Sequence, residues 1–347
     1  MKLKNIGIYL IAIIAAVSFI GCSSDKSSNK NSGENTKIRV GFFPNITHSQ
    51  ALVGKNQGQF EKLLGDKYPI EWKQFNAGPA EIEALLAGEL DMGYIGPGPA
   101  INGYTKSKGE IQIIGGASDA GAVLVARKDA DIKEVKDLQG KKVAIPQFGN
   151  TQDLSLRALL KENGLKDKTK GGTVEIVQAE NPDIKTLLDQ SRIDAALVPE
   201  PWGSRLEKEI GAKLVLDYNK VWREGQYSTA VIVARKDFIK KHPEVVEKFL
   251  KAHIDITDYI NKDNEGAKSA INDELGKLTK KPLPKEVLDS SFKRVVVTNN
   301  PEKKSIEEMV DLSVDVGFLR EKPDLKNLFS LDILNKVLKE NGKPEIK

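Results

Sequence analysis

The sequence predicts an α/β protein built as two lobes that are joined by two crossover strands. Short apolar runs alternate with helical periods from Lys37 onward, which is typical of mainly parallel sheets covered by helices. One eight-residue segment occurs twice, and the 347 residues of the chain are enough for two separate cores.

The individual elements follow from periodicity and from turn residues. Continuous apolar runs predict strands at residues 38–43, 70–75, 91–95, 111–117, 121–127, 142–145, 174–178 and 195–198. Helical spacing predicts helices at residues 50–64, 79–88, 153–163, 183–190, 242–261, 305–317 and 331–341. Pro79 suits the first position of its helix, where the missing N–H costs nothing.

The repeated segment predicts how the lobes are divided. Ala122–Asp129 reads AVLVARKD and Ala230–Asp237 reads AVIVARKD, so seven of eight positions are identical. We interpret the two copies as crossover strands in equivalent environments, with hinges near 123–126 and 231–234, although chance similarity between two buried strands is an alternative. The first lobe is then expected to take residues 37–122 and 230–347, and the second lobe residues 123–229.

The N-terminus has the features of an export signal. Lys2 and Lys4 precede an apolar run, and Gly21 stands directly before Cys22, which is the only cysteine of the chain. This resembles a bacterial lipoprotein signal over residues 1–22, with Cys22 as the lipidated residue. The alternative is an ordinary signal peptide with an incidental cysteine. The polar segment 23–36 is predicted to be a flexible tether, so the protein is expected on the extracytoplasmic face of the cell membrane.

Composition and motifs argue against nucleic-acid binding and against catalysis. The net charge of +4 is small and both signs are mixed along the chain, so no nucleic-acid partner is expected. The sequence has neither the serine-hydrolase elbow GxSxG nor the zinc-protease motif HExxH, and no cluster has metal-ligand spacing. We therefore expect no catalytic residues, no metal, no cofactor and a monomer. Of the three histidines, His242 and His253 are expected at the surface of a helix.

The candidate ligand site lies in the loops that follow the strands. In open parallel sheets, ligands bind beyond the carboxyl ends of strands and near helix N-termini. Six such loops are rich in Gly, Pro, Asn and Thr, which suits a shared cleft between the lobes better than six unrelated turns.

Four segments carry a family resemblance: RVGFFPNITHSQALV, FNAGPAEIEALLAGELDMGYIGPGPAI, GKKVAIPQFGNTQDLSLRALL and DAALVPEPWGSRL. In order and spacing they resemble the substrate-binding proteins of nitrate/sulfonate/taurine ABC importers, from Arg39 to about Leu338. The resemblance implies the two-lobed periplasmic-binding-protein fold of type II, closure around one small ligand, and delivery of that ligand to a membrane permease and its ATPase. Precursor-biosynthesis enzymes share the fold and remain a less favoured alternative.

The resemblance also implies the ligand contacts. They would come from Asn45, His48, Gly78, Gly96, Pro97 and Gly98 in the first lobe, and from Asn150, Thr151, Glu200 and Trp202 in the second. Trp202 is expected either to cover the ligand as a lid or to pack within its helix.

The identity of the ligand stays open between two classes. The resemblance favours an aliphatic sulfonate, which helix N-termini can hold without a full positive charge. Yet the loops contain Asp119, Asp153 and Glu200 and no Lys or Arg, which favours a small nitrogenous cation such as a guanidinium-like compound. Nitrate is a further alternative. Glu200 is interpreted either as an acceptor that faces the cleft or as a carboxylate at the positive end of a helix.

Overall fold

The computed structural model describes residues 36–347. The predicted signal segment 1–22, its lipidation site Cys22 and the predicted tether up to residue 35 lie outside the described residues. Within the described part, no helix combines the length and the apolar character needed to cross a membrane.

The described residues form eleven strands and fourteen α-helices. The strands are β1 (Ile38–Phe42), β2 (Ile70–Gln74), β3 (Met92–Ile95), β4 (Ile111–Ala120), β5 (Ala122–Ala126), β6 (Lys142–Ile145), β7 (Glu175–Gln178), β8 (Ala195–Pro199), β9 (Lys213–Leu216), β10 (Ser228–Arg235) and β11 (Val295–Val297). The helices are α1 (Ser49–Gln57), α2 (Gln59–Leu64), α3 (Gly78–Leu86), α4 (Pro97–Lys106), α5 (Thr151–Glu162), α6 (Asn181–Asp189), α7 (Trp202–Ile210), α8 (Tyr218–Val221), α9 (Lys236–Lys241), α10 (Pro243–Lys262), α11 (Asn264–Thr279), α12 (Lys285–Phe292), α13 (Lys303–Asp315) and α14 (Asp332–Glu340).

Two separate sheets organise these elements. The first has the strand order β11-β4-β10-β3-β1-β2 and the second has the order β7-β6-β8-β5-β9. Apolar clusters cover the faces of both sheets, so each sheet has its own core. The first sheet takes strands from both ends of the chain and the second from its middle. The exact lobe boundaries 37–122 with 230–347 and 123–229 remain a prediction.

The two sheets repeat one plan. The series β2-β1-β3-β10-β4 corresponds to β7-β6-β8-β5-β9, with three parallel strands followed by an antiparallel strand in both. The repeated sequence occupies that antiparallel position, as β5 in one sheet and β10 in the other. Arg127 is the sixth residue of one copy and pairs with Asp194 at 3.2 Å, while Arg235 is the sixth residue of the other copy and lies 3.9 Å from Asp91. The two copies therefore lie in equivalent environments.

The crossings between the sheets lie just before the repeated segments rather than within them. The chain first crosses between β4 and β5 at Gly121, and it crosses back over residues 217–227. Gly121 has a φ of +76°, and a Cβ there would lie 2.6 Å from Cγ2 of Val295. Only glycine combines this left-handed conformation with so close a neighbour. The segments 123–126 and 231–234, near which the hinges are predicted, lie within buried strands. Where the lobes rotate stays a prediction.

The C-terminal helices pack mostly on the first sheet. The 20-residue α10 buries its apolar face in the core of that sheet, together with α1, α11 and α14. The prediction that His253 lies at the surface is wrong, because its side chain is 0% exposed and its Nδ1 lies 2.9 Å from the hydroxyl of Tyr94. Burial lowers the pKa of His253 to about 3, so the ring is neutral.

Candidate functional site

A small cavity lies where the carboxyl ends of both sheets meet. We call it the inner cavity, and it provides about 30 Å³ of room. It is lined by Phe43, Asn45, Thr47, His48, Asn76, Ala77, Gly78, Gly96, Pro99, Pro146, Asn150, Thr151, Gln152, Asn181, Pro199 and Thr229. Apart from Thr229, these residues end or follow the parallel strands of the two sheets, as expected for a ligand site of this architecture.

Four α-helices begin at this cavity. They are α3, α4, α5 and α6, and each contributes residues of its first turn or its N-cap to the lining. The first N–H groups of a helix have no partner within it, and the helix dipole adds a partial positive charge at that end. The backbone N–H groups of Gly78, Thr151 and Gln152 are such groups. Helix α4 adds only its dipole, because two of its first three residues are prolines and the N–H of Gly98 is bonded to Thr151. The arrangement therefore suits an anion.

The lining of the inner cavity carries no ionised side chain. His48 is the one titratable residue, and burial lowers its pKa to about 3. Its Nδ1 accepts a hydrogen bond from the N–H of Phe43 at 3.2 Å, so the proton of the neutral ring lies on Nε2. His48 thus supplies a neutral donor to the site.

The three carboxylates whose positions in the loops favoured a cationic ligand do not line the inner cavity. Asp153 is 1% exposed, and its oxygens accept from the N–H of Gly149 and from Nε of Arg157, both at 2.9 Å. Asp119 is 9% exposed. Burial, with the nearby Glu302, raises the pKa of Asp119 to about 8, so this side chain is mainly neutral at pH 7.

Six of the ten predicted ligand residues line the inner cavity. They are Asn45, His48, Gly78, Gly96, Asn150 and Thr151. The other four, Pro97, Gly98, Glu200 and Trp202, do not. Ligand contact itself stays a prediction for all six.

Asn150 and Thr151 fix the start of α5. The side-chain oxygen of Asn150 accepts a hydrogen bond from the N–H of Asp153 at 2.8 Å, which is a helix N-cap. The hydroxyl of Thr151 accepts from the N–H of Gly98 at 3.3 Å, and this bond joins the end of the second sheet to that of the first. A Cβ on Gly96 would lie 2.3 Å from the same hydroxyl oxygen. Gly96 and Gly98 therefore let the two sides approach each other.

Gly78 and Pro97 position two of the helices. A Cβ on Gly78 would lie 2.3 Å from Cγ of Pro99, so glycine is needed where α3 meets α4. Pro97 is the first residue of α4, where it pre-sets the backbone angle of the helix.

Glu200 does not face the cavity, which corrects the prediction that it is a ligand acceptor. Its side chain is 0% exposed and accepts hydrogen bonds from Ser204, Ser291 and Arg294. The closest contact is Nη1 of Arg294, 2.9 Å from Oε1. Burial raises the pKa of Glu200 and the hydrogen bond from Arg294 opposes that shift. Glu200 therefore joins β8 to the C-terminal segment.

Trp202 lies beside the inner cavity rather than on it. Its Nε1 donates to Oδ1 of Asn45 at 3.2 Å, and the guanidinium of Arg205 lies 4.4 Å from the centre of its ring. Trp202 lines a second, larger cavity of about 480 Å³ that we call the outer cavity. Its predicted role as a lid stays a prediction.

The sequence analysis missed two polar lining residues that come from other elements. Asn181 opens α6, and the run Glu180-Asn181-Pro182-Asp183 has the residues of a helix start, which could have identified it. Thr229 lies on the antiparallel strand β10, where the rule for parallel strands does not apply.

Comparison with known proteins settles the family. The model of the NMT1-like family matches residues 31–272. The chain belongs to the NMT1-like family. It is 35% identical over 206 residues to the taurine-binding periplasmic protein of Escherichia coli strain K12, a match that covers 59% of this chain and 61% of that protein. It is 25% identical over 342 residues to a putative aliphatic sulfonates-binding protein of Bacillus subtilis strain 168, covering 96% and 97% of the two chains.

A solved structure agrees with the fold. The alkanesulfonate-binding protein SsuA from Xanthomonas axonopodis pv. citri bound to MOPS superposes with a TM-score of 0.71 at 18% identity, over 85% of this chain and 98% of that one. This likeness confirms the predicted type II fold, and the two relatives above confirm the resemblance to the nitrate/sulfonate/taurine class. These relatives are binding proteins.

Proposed function

We propose that this member of the NMT1-like family is the extracytoplasmic solute-binding component of an ABC importer. It captures a small anion, an aliphatic sulfonate, between the two lobes and delivers it to the membrane permease and its ATPase. The observation that carries the proposal is the meeting of four helix N-termini at a cavity whose lining has no ionised side chain. The names of the relatives, which refer to taurine and aliphatic sulfonates, support the same ligand class.

The inner cavity favours an anion over the cationic alternative. A guanidinium-like ligand would have its positive charge among helix N-termini, with no carboxylate among the lining residues to balance it. A sulfonate would accept hydrogen bonds from backbone N–H groups, from the amides of Asn76, Asn150 and Asn181, and from the neutral His48. Nitrate is a second candidate, because it is small enough for a cavity of about 30 Å³.

Capture involves the two lobes with the boundaries predicted above. The lobes, 37–122 with 230–347 and 123–229, rotate about the crossings at Gly121 and residues 217–227 and close on the ligand. The bond between Thr151 and Gly98 belongs to the closed arrangement. A lipid on Cys22, which lies outside the described residues, anchors the protein to the membrane, and the segment 23–36 acts as a tether. The protein acts as a monomer without a cofactor.

Calorimetry with the purified protein tests the ligand class. We expect tight binding of 1-propanesulfonate and methanesulfonate, weaker binding of nitrate, and none of guanidinium. Guanidinium binding without sulfonate binding would contradict the proposal. Tighter binding of nitrate than of any sulfonate would make nitrate the proposed ligand. Mass spectrometry after long incubation checks that the ligand is returned unchanged, since a new product would indicate an enzyme.

A further inference from the structure

We propose that the outer cavity binds the tail of the sulfonate ligand and favours a tail that ends in a second negative charge. This rests on the proposed function and adds the size and charge of the ligand to it.

The inner cavity is too small for a complete organic sulfonate. Its room of about 30 Å³ corresponds to roughly two water molecules, since one water needs about 10–15 Å³ measured in this way. The head group fills this space, so any carbon chain has to leave it.

The outer cavity is the space into which such a chain can extend. Asn45, Asn76 and Asn181 line both cavities, so the two are adjacent across these side chains. The outer cavity offers about 480 Å³, and Leu278 and Leu283 provide apolar surface for methylene groups.

The charges of the outer cavity select the end of the tail. Lys185, Arg205 and Lys281 line it with Glu209, so three cations face a single carboxylate. Glu209 lies 2.7 Å from Nζ of Lys185 and 2.9 Å from Nε of Arg205, so these two cations share it. Lys281 makes no ion pair within residues 36–347. The excess of positive charge attracts an anionic tail and repels an ammonium group.

This preference differs from that expected for taurine, the ligand in the name of the 35% identical relative. The ammonium group of taurine is two carbons from its sulfonate and would point toward Lys185, Arg205 and Lys281. The outer cavity instead suits a sulfonate that carries a carboxylate.

Three ligands with the same three-carbon chain test the proposal by calorimetry on the purified protein. They are 3-sulfopropanoate with an anionic end, 1-propanesulfonate with an apolar end, and 3-aminopropanesulfonate with a cationic end. We expect affinity to fall in that order, and we expect added salt to weaken 3-sulfopropanoate most.

A matched pair of variants assigns the preference to the outer cavity. Lys281→Gln should weaken 3-sulfopropanoate about two- to fivefold, as for one partly exposed ion pair, and should leave 1-propanesulfonate unchanged. Lys280→Gln removes the same charge from the neighbouring lysine, which does not line the cavity, and should change neither ligand.

Several results would overturn the inference. The inference is contradicted, and the proposed function left intact, by any of three results: equal affinities for the three ligands, tightest binding of 3-aminopropanesulfonate, or equal effects of the two variants. Failure of methanesulfonate and of all three longer sulfonates to bind would instead overturn the proposed function.

Discussion

The buried carboxylate of Glu200 is predicted to stabilise the fold without contacting the ligand, and two substitutions test this. Arg294→Met removes the cationic partner of Glu200, whose side chain is 0% exposed, and leaves it only the hydrogen bonds from Ser204 and Ser291. Removing one partner of a buried ion pair costs about 3–5 kcal/mol, so we expect a loss of that size in the free energy of unfolding.

The reverse substitution, Glu200→Gln, should lower the free energy of unfolding by less than Arg294→Met does. Arg294 keeps two further carboxylates, with Glu207 at 2.5 Å from Nη1 and Asp217 at 2.9 Å from Nε. The guanidinium therefore stays paired, and the cost is that of the lost charge-assisted hydrogen bond, about 1.5–3 kcal/mol. The affinity for an alkanesulfonate should stay within about twofold, well below the tenfold change that 1.4 kcal/mol of binding energy would produce.

Urea unfolding and calorimetry measure the two quantities on the same preparations. Lys161→Met is the control, because Lys161 pairs with Asp315 at 2.8 Å with side chains that are 57% and 56% exposed. It should change the free energy of unfolding by about 1 kcal/mol or less. A Glu200→Gln protein of unchanged stability whose ligand affinity changes by tenfold or more would refute the reasoning.

Three further predictions follow from other sites. Gly96→Ala should lower sulfonate affinity by about tenfold, because its Cβ would crowd the hydroxyl of Thr151. Calorimetry should show that adding Thr151→Ala restores part of the lost affinity, and no restoration would contradict the steric argument. Because the pKa of Asp119 is raised to about 8, the folded state holds a proton that the unfolded state releases above about pH 4. The free energy of unfolding should thus fall as the pH rises from about 4 to 8, by up to about 1.4 kcal/mol per pH unit. Urea midpoints of Asp119→Asn should lack this pH-dependent contribution. An unchanged slope of stability against pH in the variant would contradict the prediction. Cys22→Ser should move the protein from the membrane fraction to the soluble fraction, and an unchanged distribution would contradict lipidation.

Local periodicity and end-of-strand rules predicted most of the fold. The strand at 142–145 has the bounds expected from its apolar run, and the repeated segment occupies equivalent positions in two sheets, because both copies meet the same buried, antiparallel neighbours. The candidate site was predictable to the extent that it consists of helix starts after parallel strands, such as Asn150 and Thr151.

The residues that sequence reasoning misplaced depend on distant partners. Glu200 is turned from the cavity by Arg294, which is 94 positions away in the chain. His253 is buried because its face of α10 packs on the first sheet near Tyr94, 159 positions away. No local pattern encodes such contacts, since a charged or polar residue at a helix start or on a helix is equally compatible with solvent.

The most direct test of the central claim is a crystal structure of the protein with bound 1-propanesulfonate. We predict that the sulfonate group occupies the inner cavity, with its oxygens within hydrogen-bond distance of N–H groups in the first turns of α3 and α5 and its chain directed into the outer cavity. A sulfonate group bound elsewhere, or an inner cavity that stays free of it at saturating ligand, would contradict the account.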